Sequence, residues 1–226
     1  MSLRAPVSLH QFKGSVVLED AASEPVTLQE MKDHLRISDD SEDGLLADMI
    51  IEARSEIEQA SGLTLIRQKW RLTIDQWPGG RQVWWDGVRD GHISEIYGPG
   101  SSAALTLPRY PLIELDSVTV FDEDSNSTAV DIAETFDVDA TQTPGRINLK
   151  VGATWPIALR ANNAIQVDYY AGYGSTANDV PAPLRRAVRS LTAYLYGNRG
   201  DGCSPVKAMQ MSGAQSVVNR YRAWQI

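Results

Sequence analysis

The chain has 226 residues, enough to bury a core without staples, and its hydrophobic share of 42% and charged share of 22% are those of an ordinary soluble protein, while a lone Cys203 excludes an internal disulfide, a CxxC pair and a cysteine zinc cluster. The net charge of -8 is uneven: residues 1–180 hold 14 Lys/Arg against 28 Asp/Glu, net -14, and residues 181–226 hold 7 against 1, net +6. An acidic body argues against ordinary DNA binding, because affinity for phosphates comes from Lys and Arg releasing counterions; the basic end suits nucleic acid or the acidic body of another subunit.

The first 25 residues read as an extended segment with no long apolar run. Nowhere do about 18 apolar residues follow one another, so the expectation is a protein assembled in the cytoplasm, without a membrane span. Val26-Thr27-Leu28-Gln29-Glu30-Met31 is a helix start: Thr27 caps, Glu30 reaches back as a capping box, and Val26 packs on Met31. Leu28, Met31 and Leu35 give this helix one apolar stripe to about Ile37. The hexapeptide DDSEDG follows, with Asp39, Ser41 and Asp43 at alternate positions and Gly44 behind them, as in a calcium loop. Position 12 of such a loop would be Ile50, which has no oxygen to give. The acids are therefore expected at the joint and first turn of a second helix, capping it and facing its dipole. That helix carries Leu46, Met49, Ile50, Ala53, Ile57 and Ala60 on one face and stops at Gly62.

From Leu63 the period becomes two. Trp70, Leu72 and Ile74 alternate with polar residues, and further strands are expected at 104–107, 116–121, 129–132, 135–139, 146–151 and 164–170. Asp122 to Asn126 and Thr143-Pro144-Gly145 supply turns, and Asn126-Ser127-Thr128 is read as a turn rather than a glycosylation site. A third helix opens at Val180-Pro181-Ala182-Pro183 with Leu184, Ala187 or Val188, Leu191 and Leu195 as its stripe; Arg185, Arg186 and Arg189 lie away from that stripe. The remainder, 200–226, places Val217, Val218, Tyr221 and Trp224 in a polar setting and reads as a docking tail, ordering on assembly.

The fold class is α+β: a small bundle of about three main helices, an inserted antiparallel β region and an extended C-terminal tail. The expected organisation is an N-terminal segment 1–25, a helical pair 26–62, a β region 63–174, a third core helix 175–199 and the tail 200–226. No catalytic or metal site composes itself. His10, His34 and His92 lack metal-ligand spacing, Gly172-x-Gly174 lacks the third glycine of a dinucleotide loop, and no Gly-x-Ser-x-Gly elbow or Walker lysine is present. Carboxylate pairs such as Asp122 and Asp124 could in principle do glycosidase chemistry, though acids in a hairpin tip are more often solvated. Trp77, Trp84 and Trp85 could stack sugars or bases; packing or a subunit contact is preferred, since Trp is enriched at interfaces.

Five segments together resemble the head-tail connector, or adaptor, proteins of tailed double-stranded-DNA bacteriophages and gene transfer particles: VTLQEMKDHLRI (26–37), DGLLADMIIEARSEIEQASGLTLIRQKWRLTIDQWP (43–78), LPRYPLIELDSVTVFD (107–122), IQVDYYAGYG (165–174) and VPAPLRRAVRSLTAYLYGNR (180–199), with a closing YR at 221–222. The stretch 79–103 departs from the family in being longer and richer in Gly and Trp. The resemblance implies a subunit of a ring, of twelve copies, under the portal vertex in the virion neck, with no enzymatic activity and no cofactor. Its partners would be the portal ring and the next connector (stopper) or tail terminator, with genomic DNA passing through. Within that reading Glu52, Glu56 and Glu58 are expected to line the channel, where like charge keeps DNA from sticking. Arg199, Lys207, Val217, Val218, Arg220, Tyr221, Arg222 and Trp224 are expected to dock on the portal or a neighbour, and Trp77, Trp84 and Trp85 to form interfaces. The competing readings are a tail-side ring or β-rich adhesion module and a carboxylate-dependent glycan hydrolase.

Overall fold

A computed structural model describes residues 14–78, 104–150, 152–153, 155–199 and 204–223, in two compact units. The helical unit is drawn from Glu19–Gln68, Arg109–Ile113 and the chain from Ala171 onward; the β unit takes the chain before Glu19, Lys69–Pro108 and Glu114–Tyr170.

In the helical unit α1 spans Leu28–Leu35 and begins with the expected capping box: Thr27 accepts from the Glu30 N–H and Glu30 from the Thr27 N–H. Arg36 ends it in the left-handed region. Helix α2, Asp43–Ser61, buries Leu46, Ile50, Ala53 and Ile57, an i, i+4, i+7, i+11 row, and stops at Gly62 with φ 82°. After an intervening short helix in the β unit (α3, Ile132–Thr135), α4 spans Ala182–Gly197 and buries Leu184, Ala187, Val188 and Leu191. Helices α5 (Pro205–Met211) and α6 (Ala214–Tyr221) follow. Helix α4 packs on α2 and α6, and Ala208, Met209, Ala214, Val217 and Val218 sit in one core with α2 and α4.

The expected extended tail is therefore helical over its described residues, and the three-helix bundle becomes five helices. The physical reason is periodicity: Ala214, Val217, Val218 and Tyr221 recur at helical spacing and bury a stripe that short helices cannot stabilise alone.

Residues 63–68 and 109–113, expected as part of the β region, also belong to the helical unit. Leu63, Leu65 and Ile66 are fully buried among its helices. The Thr64 N–H donates to the Tyr110 carbonyl at 2.8 Å; the Tyr110 hydroxyl donates to the Ser61 carbonyl at 2.5 Å and accepts from the Ala223 N–H at 2.9 Å. One tyrosine thus ties the end of α2 to the end of α6. Gly172, with φ 137°, passes so close to Arg67 that a Cβ there would stand 2.7 Å from the Arg67 nitrogen.

In the β unit, β1 (Ser15–Glu19), β2 (Gln68–Ile74), β8 (Ile165–Ala171), β4 (Leu112–Phe121) and β5 (Ser127–Val130) form one sheet in that spatial order. A second sheet has the order β3 (Leu105–Thr106), β7 (Arg146–Leu149), β6 (Phe136–Asp139). The β4–β5, β3–β7 and β6–β7 pairs are antiparallel. Strand β2 buries every second residue, as its alternation requires. Arg71 on β2 donates two bonds, each 2.7 Å, to the Asp168 carboxylate on β8.

Candidate assembly surfaces

The acidic hexapeptide acts by pairing, not by capping. The N-terminal cap position of α2 is Glu42, whose side chain makes no capping bond. Asp40 and Asp43 instead accept from the Lys32 ammonium at 2.5 and 2.7 Å, joining α1 to the start of α2. Asp39 holds its own turn by accepting from the Ser41 N–H and hydroxyl, which keeps its carboxyl below the usual range. Glu42 accepts from the Tyr196 hydroxyl and from Arg199 and is likewise held low, so Arg199, expected to dock elsewhere, is paired within the helical unit. Lys32, Tyr196 and Arg199 bring donors to Asp40, Asp43 and Glu42 from elsewhere in the helical unit, and these side chains turn to them and away from the first turn of α2.

Helix α2 divides its charges between two faces. Outward, Asp48 and Glu52 are exposed and Glu56 is half-buried. They recur every fourth residue, about 6 Å apart along the axis, and none pairs with a cation among the described residues. Leu45 and Ile51, 41% and 45% exposed, share that face. Inward lies Glu58, which corrects its expected place in a channel: its side chain is 8% exposed and accepts from the Leu65 N–H at 2.7 Å, from Arg54 at 3.1 Å and from Gln68. Arg54 also reaches Glu24 at 2.8 Å and Asp20 at 3.5 Å, and Arg109 donates to the Glu58 carbonyl at 2.9 Å. Burial pushes the Glu58 and Glu24 carboxyls above their ordinary values despite these partners. Burial opposes the Arg54 charge as well, yet the flanking carboxylates hold its pKa up. The sequence signal for this network was there to be read: Arg54 and Glu58, at i and i+4, sit within the apolar stripe set by Ile50, Ala53 and Ile57.

The expected docking residues separate in the same way. Val217 and Val218 are core residues and Tyr221 is half-buried, while Lys207, Arg220 and Arg222 are exposed. On α5, exposed Val206 and Met211 flank Lys207. Between α4 and α6 lies a recess of about 110 Å³, walled by Arg186 and Arg220, with Ala187, Ala214 and Val217 and the hydroxyls of Ser212 and Ser216 at its lining. The Ser212 hydroxyl accepts from the Ala214 N–H at 3.4 Å and donates to the Met209 carbonyl, and the Ser216 hydroxyl donates to the Gly213 carbonyl. Trp224, Trp84 and Trp85, with the whole stretch 79–103, lie outside the described residues.

Trp77 is not an interface group but a core one: it is buried and packs on Phe136 and Trp155 with ring centroids 5.2 and 5.8 Å away, inside the β unit. Asp122 closes the β4–β5 turn, accepting from the Asn126 N–H and side-chain amide, and those bonds hold its pKa low. A glycosidase general acid needs the opposite, a carboxyl whose pKa is raised. Among the described residues no group of three or more His, Cys, Asp or Glu is arranged to hold a metal ion, and no helix is long and apolar enough to cross a membrane.

What is assembled is thus a set of contrasting surfaces on a helical unit. Residues 25–83 match the family model described as Phage gp6-like head-tail connector protein. No curated protein matches the chain. Among solved structures, the chain is similar to one in the neck of an empty GTA particle computed with C6 symmetry: TM-score 0.69, 21% identity, covering 95% of this chain and 97% of that one. It is similar to a chain of the native gene transfer agent (GTA) virion at TM-score 0.69, 20% identity and coverage of 94% and 96%. A third, in the neck of the native GTA particle computed with C12 symmetry, gives 0.65, 20%, 93% and 97%. The fold is therefore of the class that these GTA-particle chains share. Within that class, the sequence match over 25–83 supports a head-tail connector family.

Proposed function

We propose that the chain is a structural head-tail connector subunit of a tailed phage or a related particle, working in the neck as one of a ring of identical copies. The observation that carries this reading is the coincidence of two independent matches: a connector family model over 25–83 and a neck-protein fold over 95% of the chain. The number twelve draws support from the relative whose neck was computed with C12 symmetry. The ring's partners are a portal ring on the head side and a stopper or tail terminator on the other, with genomic DNA passing through its centre unread. The exposed face of α5, with Val206, Lys207 and Met211, and the exposed Arg222 after α6 are the groups we assign to the portal or to the next component. Assembly takes place in the host cytoplasm, and the chain needs no cofactor.

Producing particles without this chain tests the reading. Heads that fill with DNA but carry no tails are expected; tails joined at the normal frequency would overturn it.

A further inference from the structure

We infer that the outward face of α2 is a docking surface for a second copy of this chain, and that it enters the recess between α4 and α6 on that copy. This rests on the reading of the chain as a ring subunit, and replaces the expectation that Glu52 and Glu56 face the DNA passage.

Charge complementarity is the first support. Asp48, Glu52 and Glu56 recur every fourth residue on one side of α2 and lack a cation among the described residues. The recess is walled by Arg186 and Arg220, both exposed and likewise without an ion pair among the described residues. No carboxylate lines the recess, so nothing within it offsets the two guanidinium charges. Arg185, also on α4, is already committed to Glu30 at 2.6 Å and to the Pro25 carbonyl.

Apolar content is the second support, and it decides between a protein partner and DNA. A passage for hydrated DNA has no use for exposed Leu45 and Ile51, which on α2 flank the acids. A protein contact does: such contacts bury an apolar centre within a polar rim. The recess offers the counterpart, with Ala187, Ala214 and Val217 in its lining inside the arginines. Acid face and basic recess are different patches of one chain, so their pairing is heterologous, the kind of contact that generates rings when the rotation closes.

Charge reversal separates the possibilities. Glu52→Arg and Arg186→Glu, each at an exposed position, should leave the far-UV circular dichroism of the monomer unchanged and raise the concentration needed for ring formation by at least about tenfold, equal to roughly 1.4 kcal/mol per contact. The double variant should form rings again at close to the wild-type concentration. Milder Glu52→Gln should shift assembly in the same direction and make it less sensitive to salt. Rings that form normally in both single reversals, or a double variant no better than either single one, would overturn the inference while leaving the ring reading intact. A wild-type chain that stays monomeric at every concentration, with or without portal, would overturn both.

Discussion

Replacing Arg54 by Ala isolates the most buried charge in the helical unit. The Arg54 and Glu58 side chains are 6% and 8% exposed, which puts the pair in the regime where losing one partner strands the other. Three contacts disappear: to Glu58 at 3.1 Å, Glu24 at 2.8 Å and Asp20 at 3.5 Å. Asp20 is 68% exposed, so solvent screens it and its loss counts for little. The other two are charge-assisted bonds of roughly 1.5 to 3 kcal/mol each, one to the buried Glu58 and one to the half-buried Glu24, whose side chain is 25% exposed, and removing one member of a buried pair costs roughly 3 to 5 kcal/mol. The expected loss for Arg54→Ala at pH 7 is therefore about 3 to 5 kcal/mol, read as a lower urea midpoint of the 222 nm signal with the slope unchanged.

The pH dependence carries a sign that a simple packing defect would lack. The folded-state pKa of Glu58 is raised by burial, so its contribution is fully present below its ordinary value near 4.5 and lost as pH rises through the raised value. Without Arg54 that pKa rises further, because a partner that lowered it is gone. The variant's deficit should then shrink as pH falls from 7 towards 5. A loss below about 1 kcal/mol, or one that does not change over that interval, would refute the reasoning.

Three further outcomes test other parts of the fold. Trp77→Ala should cost about 3 to 5 kcal/mol in the β unit through the cavity it opens; Trp77→Phe should cost much less, because the indole N–H makes no hydrogen bond and the contacts to Phe136 and Trp155 are between rings. If Trp77 were instead an interface group, Trp77→Ala would leave the monomer's melting curve alone. Gly172→Ala should destabilise by at least about 2 kcal/mol, since φ 137° disfavours a side chain and the new Cβ meets the Arg67 backbone; thermal melting measures it. Thr27→Ala, which removes half of the capping box on α1, should cost about 1 kcal/mol in urea, and no change would show the box to be ornamental.

Local signals in this sequence translated directly into structure where one residue sufficed to satisfy one need. The capping box at Thr27 and Glu30, the left-handed stop at Gly62 and the alternation of β2 are of that kind. What escaped depended on partners far apart in the chain. The acids of the hexapeptide could be assigned to a helix start but not to Lys32, Tyr196 and Arg199, because no periodicity links those positions. Residues 63–68 and 109–113 fell inside the expected β region because they stand next to its strands in the chain, and no local pattern shows that Leu63, Leu65, Ile66 and Tyr110 are buried with the helices. The last segment was short, interrupted by Gly213 and rich in polar groups, so its helical spacing was read as a docking motif when it completes the core. On the surface side, helical phase separates the outward acids Glu52 and Glu56 from the inward Glu58, but only the structure shows that Leu65 and Gln68 are the groups Glu58 meets.

The central claim is that this chain is a ring-forming connector, and native mass spectrometry combined with negative-stain imaging, with and without the cognate portal ring, tests it most directly. The account predicts closed rings of one stoichiometry, twelve, that seat on the portal. Chains that remain monomeric and unbound in the presence of portal would contradict it.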